Sequence, residues 1–287
     1  RRINMITIYI YMGKNKLDMV NKKTKKKPKN TKKKTKNTKV VDVPLADKVS
    51  MGSKASVGLI DYHYQKYYNT FAFLKEVIKR NKTLQDMVCI PKTSNSWLQS
   101  FMKVHFFKGI ESVKSHLESV KPVDPFVSKN NFMDEIRKCM VKRLIPISLE
   151  IIVPGAGTHA NVILIDTKKK TVELFEPHGA RSNESELESI SRAYFKVSKN
   201  VHKFVRMNLP EFTYIPPSKY EPEDGLQVRL DAFSGLCVTW SILYLHYRVL
   251  NPDLPPKKLI QYLETKFNRK TLLRYTRYVE EVLKGKV

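Results

Sequence analysis

Cysteine is scarce in this sequence, and no apolar run is long enough to cross a membrane. Its three cysteines, Cys89, Cys139 and Cys237, show no CxxC spacing and no histidine at metal-ligand intervals, so no structural zinc site is expected. Their odd number and scatter also disfavour a disulfide framework, which favours a reducing intracellular compartment. The apolar run at residues 5–12 is too short to span a bilayer. We therefore expect no membrane association.

Acidic residues are also few. The chain has 27 Asp and Glu against 53 Lys and Arg, a net charge of +26. Residues 1–50 hold 16 of the basic residues and three of the acidic ones, so half of the excess lies there. Residues 21–39 contain only Lys, Thr, Asn and one Pro, with nothing apolar to bury. This composition predicts a disordered arm over residues 1–48. The arm either contacts nucleic acid non-specifically, serves as a nuclear-localisation signal, or only aids solubility.

The rest of the chain divides into a helical region, residues 49–142, and a core, residues 143–287. Helical periodicity predicts helices over residues 57–78, 94–120, 131–141 and 185–197. The runs LIPISLEIIV, HANVILID and TVELFE predict three antiparallel strands, and residues 203–207 a further strand. The run CVTWSILYLHYRVL, apolar on nearly every side, predicts a buried central helix, and two amphipathic helices follow it. The pattern indicates an α+β fold.

The second and third predicted strands bring a histidine and a carboxylate together. A symmetric turn about Thr167 and Lys168 pairs Ile163 with Val172 and sets His159 opposite Glu176. Opposed residues of an antiparallel pair point to the same face of the sheet. A carboxylate beside an imidazole fixes the tautomer of the ring and raises its basicity. The hairpin therefore predicts a general base with its orienting acid.

A nucleophile is predicted at the start of the apolar helix. Gly235 and Leu236 lead into Cys237, which places the thiol at the helix N-terminus, where unpaired N–H groups and the helix dipole favour the thiolate. An ion pair with protonated His159 would lower the thiol pKa further. The N–H of Cys237 and the side chain of Gln227 are candidate donors to an oxyanion. Taken singly, each of these residues is typical of an ordinary structural role; taken together, they predict a catalytic site.

Two segments resemble the adenain and ubiquitin-like-protease clan of cysteine peptidases. THANVILIDTKKKTVELFEPHG is similar to the clan's His-to-acid segment, and GLCVTWSILYLHYRVLNP to its nucleophile helix. The H-x-N and WS phrases most resemble members from large DNA viruses. The resemblance implies a papain-like fold with a central helix on an antiparallel sheet. It also implies His159 as base, Glu176 as acid, Cys237 as nucleophile and Gln227 as oxyanion donor.

The chain departs from the clan in two ways. Ala160 follows the histidine where many members have Trp, and the spacing from Gln227 to Cys237 is longer than usual. Asp166 is a rival acid and His178 a rival base, although the former lies at the turn and the latter follows a proline.

The resemblance implies a cysteine endopeptidase that needs no metal or organic cofactor. It cleaves peptide or isopeptide bonds beside small residues, especially Gly, in viral precursor proteins or ubiquitin-like conjugates. It would act in the host cytoplasm, the nucleus or the virion. One alternative is an acetyltransferase of the same clan, which would need an acetyl-coenzyme A site. Another is a catalytically inactive protein that binds nucleic acid.

Overall fold

The computed structural model describes residues 40–47, 67–91, 101–108, 113–115, 121–122, 129–153, 157–180, 189–231 and 236–285. Its helices are α1 Tyr67–Lys79, α2 Lys82–Met87, α3 Lys129–Cys139, α4 Ser189–Asn208, α5 Leu226–Asp231, α6 Cys237–Leu250, α7 Pro256–Lys266 and α8 Arg269–Leu283. Its strands are β1 Phe101–Lys108, β2 Val113–Ser115, β3 Lys121–Pro122, β4 Leu144–Val153, β5 Gly157–Asp166, β6 Thr171–Phe175 and β7 Thr213–Ile215.

The described strands form one mixed sheet in the order β2-β1-β4-β5-β6-β7, with β3 beside β1. The three strands predicted from β-branched runs, β4, β5 and β6, pair antiparallel at its centre. Parallel strands flank them, since β1 pairs with β4 and β7 with β6. The expected α+β fold, with a central helix on a sheet, is confirmed.

Helix α6 fills the core on one face of this sheet. Residues 238–249 are all buried, as the all-round apolar pattern predicts. Their cluster includes Val162 and Leu164 of β5, whose side chains alternate with those of Ile163 and Ile165. The latter two lie in a second cluster with residues of α3 and α4. The sheet is therefore buried on both faces, and α6 is held firmly against β5.

The register of the β5–β6 hairpin differs from the predicted one by two residues. Ile163 pairs with Leu174 and Ile165 with Val172, because the turn has four residues, Thr167–Lys170, instead of two. Asp166 stabilises this turn by accepting hydrogen bonds from the backbone N–H groups of Lys168 and Lys169, each at 3.0 Å. A shift by two leaves every side chain on its predicted face. His159 and Glu176 therefore share a face as diagonal neighbours, not as an opposed pair.

Other elements were predicted with mixed success. The helices expected over residues 131–141 and after residue 257 are confirmed by α3, α7 and α8. The helix over residues 94–120 is wrong, because residues 101–108 and 113–115 are strands. The strand over residues 203–207 is also wrong, because these residues belong to α4. Of the helix expected over residues 57–78, the part before residue 67 lies outside the described residues.

The expectation that the cysteines form no disulfide is wrong. Cys89 and Cys139 are bonded across 50 residues of sequence, with their Cα atoms 5.4 Å apart. The N–H of Cys89 donates to the carbonyl of Leu144 at 2.9 Å, and Cys139 ends α3 shortly before β4 begins there. The start of β4 thus brings the two cysteines together. Cys237 takes no part in this disulfide.

Residues 40–47 pack against the C-terminal helices, although the predicted arm extends to residue 48. Asp42 accepts hydrogen bonds from the hydroxyl of Tyr247 and from Nζ of Lys266, each at 3.0 Å. Val41 and Asn251 exchange two hydrogen bonds of 2.7 and 2.9 Å. The Lys-rich residues 21–39 and their nucleic-acid contact lie outside the described residues. Within the described ranges, no helix has the length and apolarity to cross a membrane.

Candidate active site

The site forms at the end of β6. Beyond this end, one edge of β5 has no partner among the described strands. The last pair of that ladder joins Val162 to Phe175, whereas β5 continues back to Gly157. Side chains of helix α6 hydrogen-bond to the backbone groups of Ala160 at this edge. Its N–H hydrogen-bonds to the sulfur of Cys237, and its carbonyl accepts from Ser241 Oγ at 3.3 Å. These two bonds hold the first turn of α6 against β5, beside His159.

His159 and Glu176, which the sequence predicts as base and acid, lie in direct contact. The ring Nε2–H of His159 donates to Oε1 of Glu176 at 2.6 Å, and the two residues are only 3% and 5% exposed. Burial disfavours the charged ring, but the charge of Glu176 and the hydrogen bonds that the ring makes to Glu176 and Cys237 raise the pKa of His159 to about 10. Burial likewise opposes the charge of Glu176, yet the charge of His159 lowers the pKa of this carboxyl. The pair is thus ionised at neutral pH.

Cys237 is the first residue of α6, as predicted, and is partly exposed. Its sulfur hydrogen-bonds to the ring of His159, whose Nε2 is already engaged by Glu176, which leaves Nδ1 for the thiol. Burial raises the pKa of the thiol, but the hydrogen bond and charge of His159 and the N–H of Ala160 together hold this pKa below its ordinary value. The arrangement favours a thiolate–imidazolium pair, which is a nucleophile with its proton donor in place.

The carboxylate of Glu176 is held by more than His159. Oε1 also accepts from the backbone N–H of His178 at 2.9 Å, and Oε2 accepts from Nδ2 of Asn161 at 2.5 Å. Sequence reasoning assigned no role to Asn161. The signal that reveals it is its position two residues after His159 on the same strand, which puts both side chains on one face.

Gln227 is placed beside the acid by two glycines. Gly179 has φ 98°, and a Cβ on it would lie 2.2 Å from the N of Gly225. This close approach lets Gly225 donate to the carbonyl of His178 at 2.8 Å and Gln227 donate to that of Pro177 at 2.9 Å. The side chain of Gln227 is buried, and its Oε1 has no hydrogen-bond partner among the described residues. Its role as oxyanion donor stays a prediction.

The rival residues have other roles. Asp166 caps the turn of the hairpin and pairs with Arg143 at 3.4 Å, away from His159. The ring of His178 packs on that of His159, with the centroids 4.4 Å apart. His159, Glu176 and His178 place their ligand atoms within 4.8 Å of one another, which is close enough for a divalent metal ion. Oε1 of Glu176 already accepts hydrogen bonds from the ring of His159 and from the backbone N–H of His178.

No profile of a known protein family matches the chain. A protein of Acanthamoeba polyphaga mimivirus named as an ankyrin repeat protein is 30% identical over 138 residues, which cover 42% of this chain and 17% of that protein. The chain thus spans less than a fifth of this relative.

Several solved structures are similar to parts of this chain, among them the following three. The yeast Ulp1 protease domain, solved in complex with Smt3, is 15% identical with a TM-score of 0.30, over 54% of this chain and 62% of that chain. ChlaDUB1 of Chlamydia trachomatis is 10% identical with a TM-score of 0.32, over 78% and 74%. RavZ of Legionella pneumophila is 12% identical with a TM-score of 0.35, over 76% and 62%. At these values the likeness gives no assignment of activity.

Proposed function

We propose that this chain is a cysteine peptidase that cleaves peptide or isopeptide bonds. The observation that carries the proposal is the line of contacts from Cys237 through His159 to Glu176, with the thiol at the N-terminus of a helix. A lowered thiol pKa beside a raised imidazole pKa is the electrostatic setting of an activated cysteine nucleophile. Such a nucleophile suits acyl transfer.

The geometry supports a two-step reaction. The thiolate of Cys237 attacks the carbonyl carbon, and the oxyanion is stabilised by N–H groups at the start of α6 and by the amide of Gln227. The imidazolium of His159 gives its proton to the leaving amine, and a thioester remains. His159 then takes a proton from water, which attacks the thioester and releases the acid. Glu176 keeps the ring oriented and stabilises its positive charge throughout.

The substrate class is a protein with a small residue, especially Gly, beside the scissile bond. Ubiquitin-like conjugates and viral precursor proteins both fit this description. The partial match to a mimivirus protein and the resemblance of the two sequence segments to viral members of the clan support a viral setting. For this setting we further propose that residues 21–39 hold the enzyme near nucleic acid.

Alkylation by iodoacetamide tests the activated thiolate. At pH 6 an ordinary thiol with a pKa near 8.5 is only about 0.3% ionised. We expect Cys237 to react at least ~10-fold faster than such a thiol, since one unit of pKa is a factor of ten in ionisation. This advantage should be lost in His159→Ala. Free cysteine alkylated at the same pH supplies the reference for an ordinary thiol, and Cys237→Ala shows how much of the labelling belongs to Cys237, because Cys89 and Cys139 are joined in a disulfide. A wild-type rate no higher than that of free cysteine would refute the proposal.

A ubiquitin-like vinyl sulfone separates the two substrate classes. Reaction at Cys237 that is absent in Cys237→Ala indicates isopeptidase activity, whereas reaction with the small probe alone favours cleavage of precursor proteins. Acetylation of Cys237 by labelled acetyl-coenzyme A would contradict the peptidase assignment and support the acetyltransferase alternative.

A further inference from the structure

Oε2 of Glu176 accepts a hydrogen bond from one side chain among the described residues, that of Asn161. We propose that Asn161 is a positioning residue of this site, which acts through Glu176 to hold His159 in line with Cys237. The inference rests on the proposed function, because it concerns the same thiolate.

The observed strand register explains why Asn161 reaches the acid. The ladder between β5 and β6 pairs Val162 with Phe175, so the next positions bring Asn161 opposite Glu176. Opposed positions carry side chains on one face at the shortest cross-strand distance. Asn161 is fully buried, and its Nδ2 lies 2.5 Å from Oε2 of Glu176. This contact therefore forms inside the protein, shielded from competing water.

The hydrogen bonds also determine which way the amide of Asn161 points. Its Nδ2 donates both to Glu176 and, at 3.3 Å, to the carbonyl of Phe175. A reversed amide would turn Oδ1 toward a carboxylate and a carbonyl, where no proton is available between the oxygens. Oδ1 itself has no hydrogen-bond partner among the described residues. The site thus uses Asn161 as a donor, with its acceptor left unused.

The hydrogen bond from Asn161 fixes the orientation of the Glu176 carboxylate. Oε1 of Glu176 accepts hydrogen bonds from the ring of His159 and from the N–H of His178. Both bonds require that the carboxylate does not rotate about its Cγ–Cδ bond. Without Asn161, Oε2 would be a buried oxygen lacking a partner, and rotation toward another donor would take Oε1 away from His159. The thiolate of Cys237 would lose the charge that the ring supplies.

The test compares Asn161→Leu, which keeps the size and removes the donor, with the wild-type chain. Alkylation of Cys237 by iodoacetamide is measured from pH 5 to pH 9. We expect the variant to react about tenfold more slowly near pH 6, which corresponds to a rise of about one unit in the pKa of the thiol. In a Glu176→Ala background the same substitution should change nothing further, because the residue through which Asn161 acts is gone.

Asn161→Asp keeps the proposal testable if the Leu variant does not fold. Two facing carboxyls retain one proton to a higher pH than either would alone. While the pair holds this proton, the introduced carboxyl group and Glu176 stay in contact through an O–H donor. The titratable groups around this pair are His159, His178, Glu221 and Cys237, and burial raises the pKa of Glu221. We expect alkylation near the wild-type rate at pH 5, a deficit that opens once the carboxyl pair has lost its proton, and convergence toward pH 9, where the thiol is largely ionised in both proteins.

The outcomes separate the two proposals. A wild-type Cys237 that reacts like an ordinary thiol overturns the proposed function. An activated wild-type Cys237 whose rate Asn161→Leu leaves unchanged overturns only the role of Asn161. An equal slowing in the wild-type and Glu176→Ala backgrounds would also overturn it, because Asn161 would then act by a route other than the acid.

Discussion

Replacing Arg248 with Met is expected to destabilise the protein by about 3–5 kcal/mol. Arg248 near the end of α6 and Glu173 of β6 form a buried bidentate ion pair, 2% and 4% exposed, with Nε–Oε1 and Nη2–Oε2 distances of 3.0 and 3.2 Å. Arg248 also donates to the carbonyls of Asn251 and Leu254. Met fills similar space but leaves a buried carboxylate, with Tyr244 as its remaining side-chain donor among the described residues.

Urea unfolding gives the free energy directly, and the midpoint of thermal unfolding should fall by roughly 6–20 °C at about 2–4 °C per kcal/mol. Glu173→Leu should cost a similar amount, because it leaves the guanidinium buried. The double variant should be far less unstable than the sum of the two, since replacing both members of a buried pair with apolar groups is often neutral.

An exposed ion pair supplies the matched control. Arg229 and Glu264 lie 2.5 Å apart but are 44% and 24% exposed, so Arg229→Met should change the free energy of unfolding by less than about 1 kcal/mol. If Arg248→Met proved no more costly than Arg229→Met, or if the two buried substitutions were additive, the reasoning would be refuted. The pair bears on the proposed site because it fastens α6, which begins at Cys237, to the strand that leads into Glu176.

Two further substitutions test how the site is held together. Gly179→Ala should lower the thermal midpoint and remove the rate advantage of Cys237 in alkylation at pH 6, because its Cβ would lie 2.2 Å from the N of Gly225. Gly285→Ala, with φ 65° and no described atom within 4 Å of its Cβ, should cost only about 1–2 kcal/mol, and equal effects of the two substitutions would argue against the close approach. Replacing Cys89 and Cys139 with Ser should lower the free energy of unfolding by about 4 kcal/mol, because the unfolded chain regains the entropy that a closed loop of this length removes. Reduction of the wild type should reproduce the loss. A wild-type midpoint unchanged by reductant would contradict this bond.

Local sequence was sufficient for elements whose signal lies in one segment. Helix α6 begins and ends where predicted, at Cys237 and Leu250, because its run is apolar all round and Asn251-Pro252 stops it. The three central strands were equally clear from their β-branched residues. The proximity of His159 and Glu176 follows from one hairpin, which is a local feature. The contact of Cys237 with His159 joins distant segments, and it was expected from the resemblance of both segments to one clan.

Features that depend on distant contacts could not be predicted in this way. Residues 101–108 carry a helix-compatible pattern but form a strand, because they pair in parallel with β4 far along the chain. The hairpin was assigned a two-residue turn although Asp166 is typical of the first position of a turn, where its carboxylate accepts from the following N–H groups. The role of Asn161 was missed with it, because Asn161 lies opposite Glu176 only in the observed register.

The phrase FEPHG explains why a catalytic site can form at this place in the sheet. Phe175 stacks on Tyr244 of α6, with the ring centroids 4.0 Å apart, and so fixes the end of β6 to the nucleophile helix. Pro177 has no N–H, so the ladder cannot continue past Glu176. Because β6 stops there, the backbone groups of Ala160 remain for α6 to bind. A longer β6 would occupy this edge and exclude the thiol, so the early end of one strand creates the position that Cys237 fills.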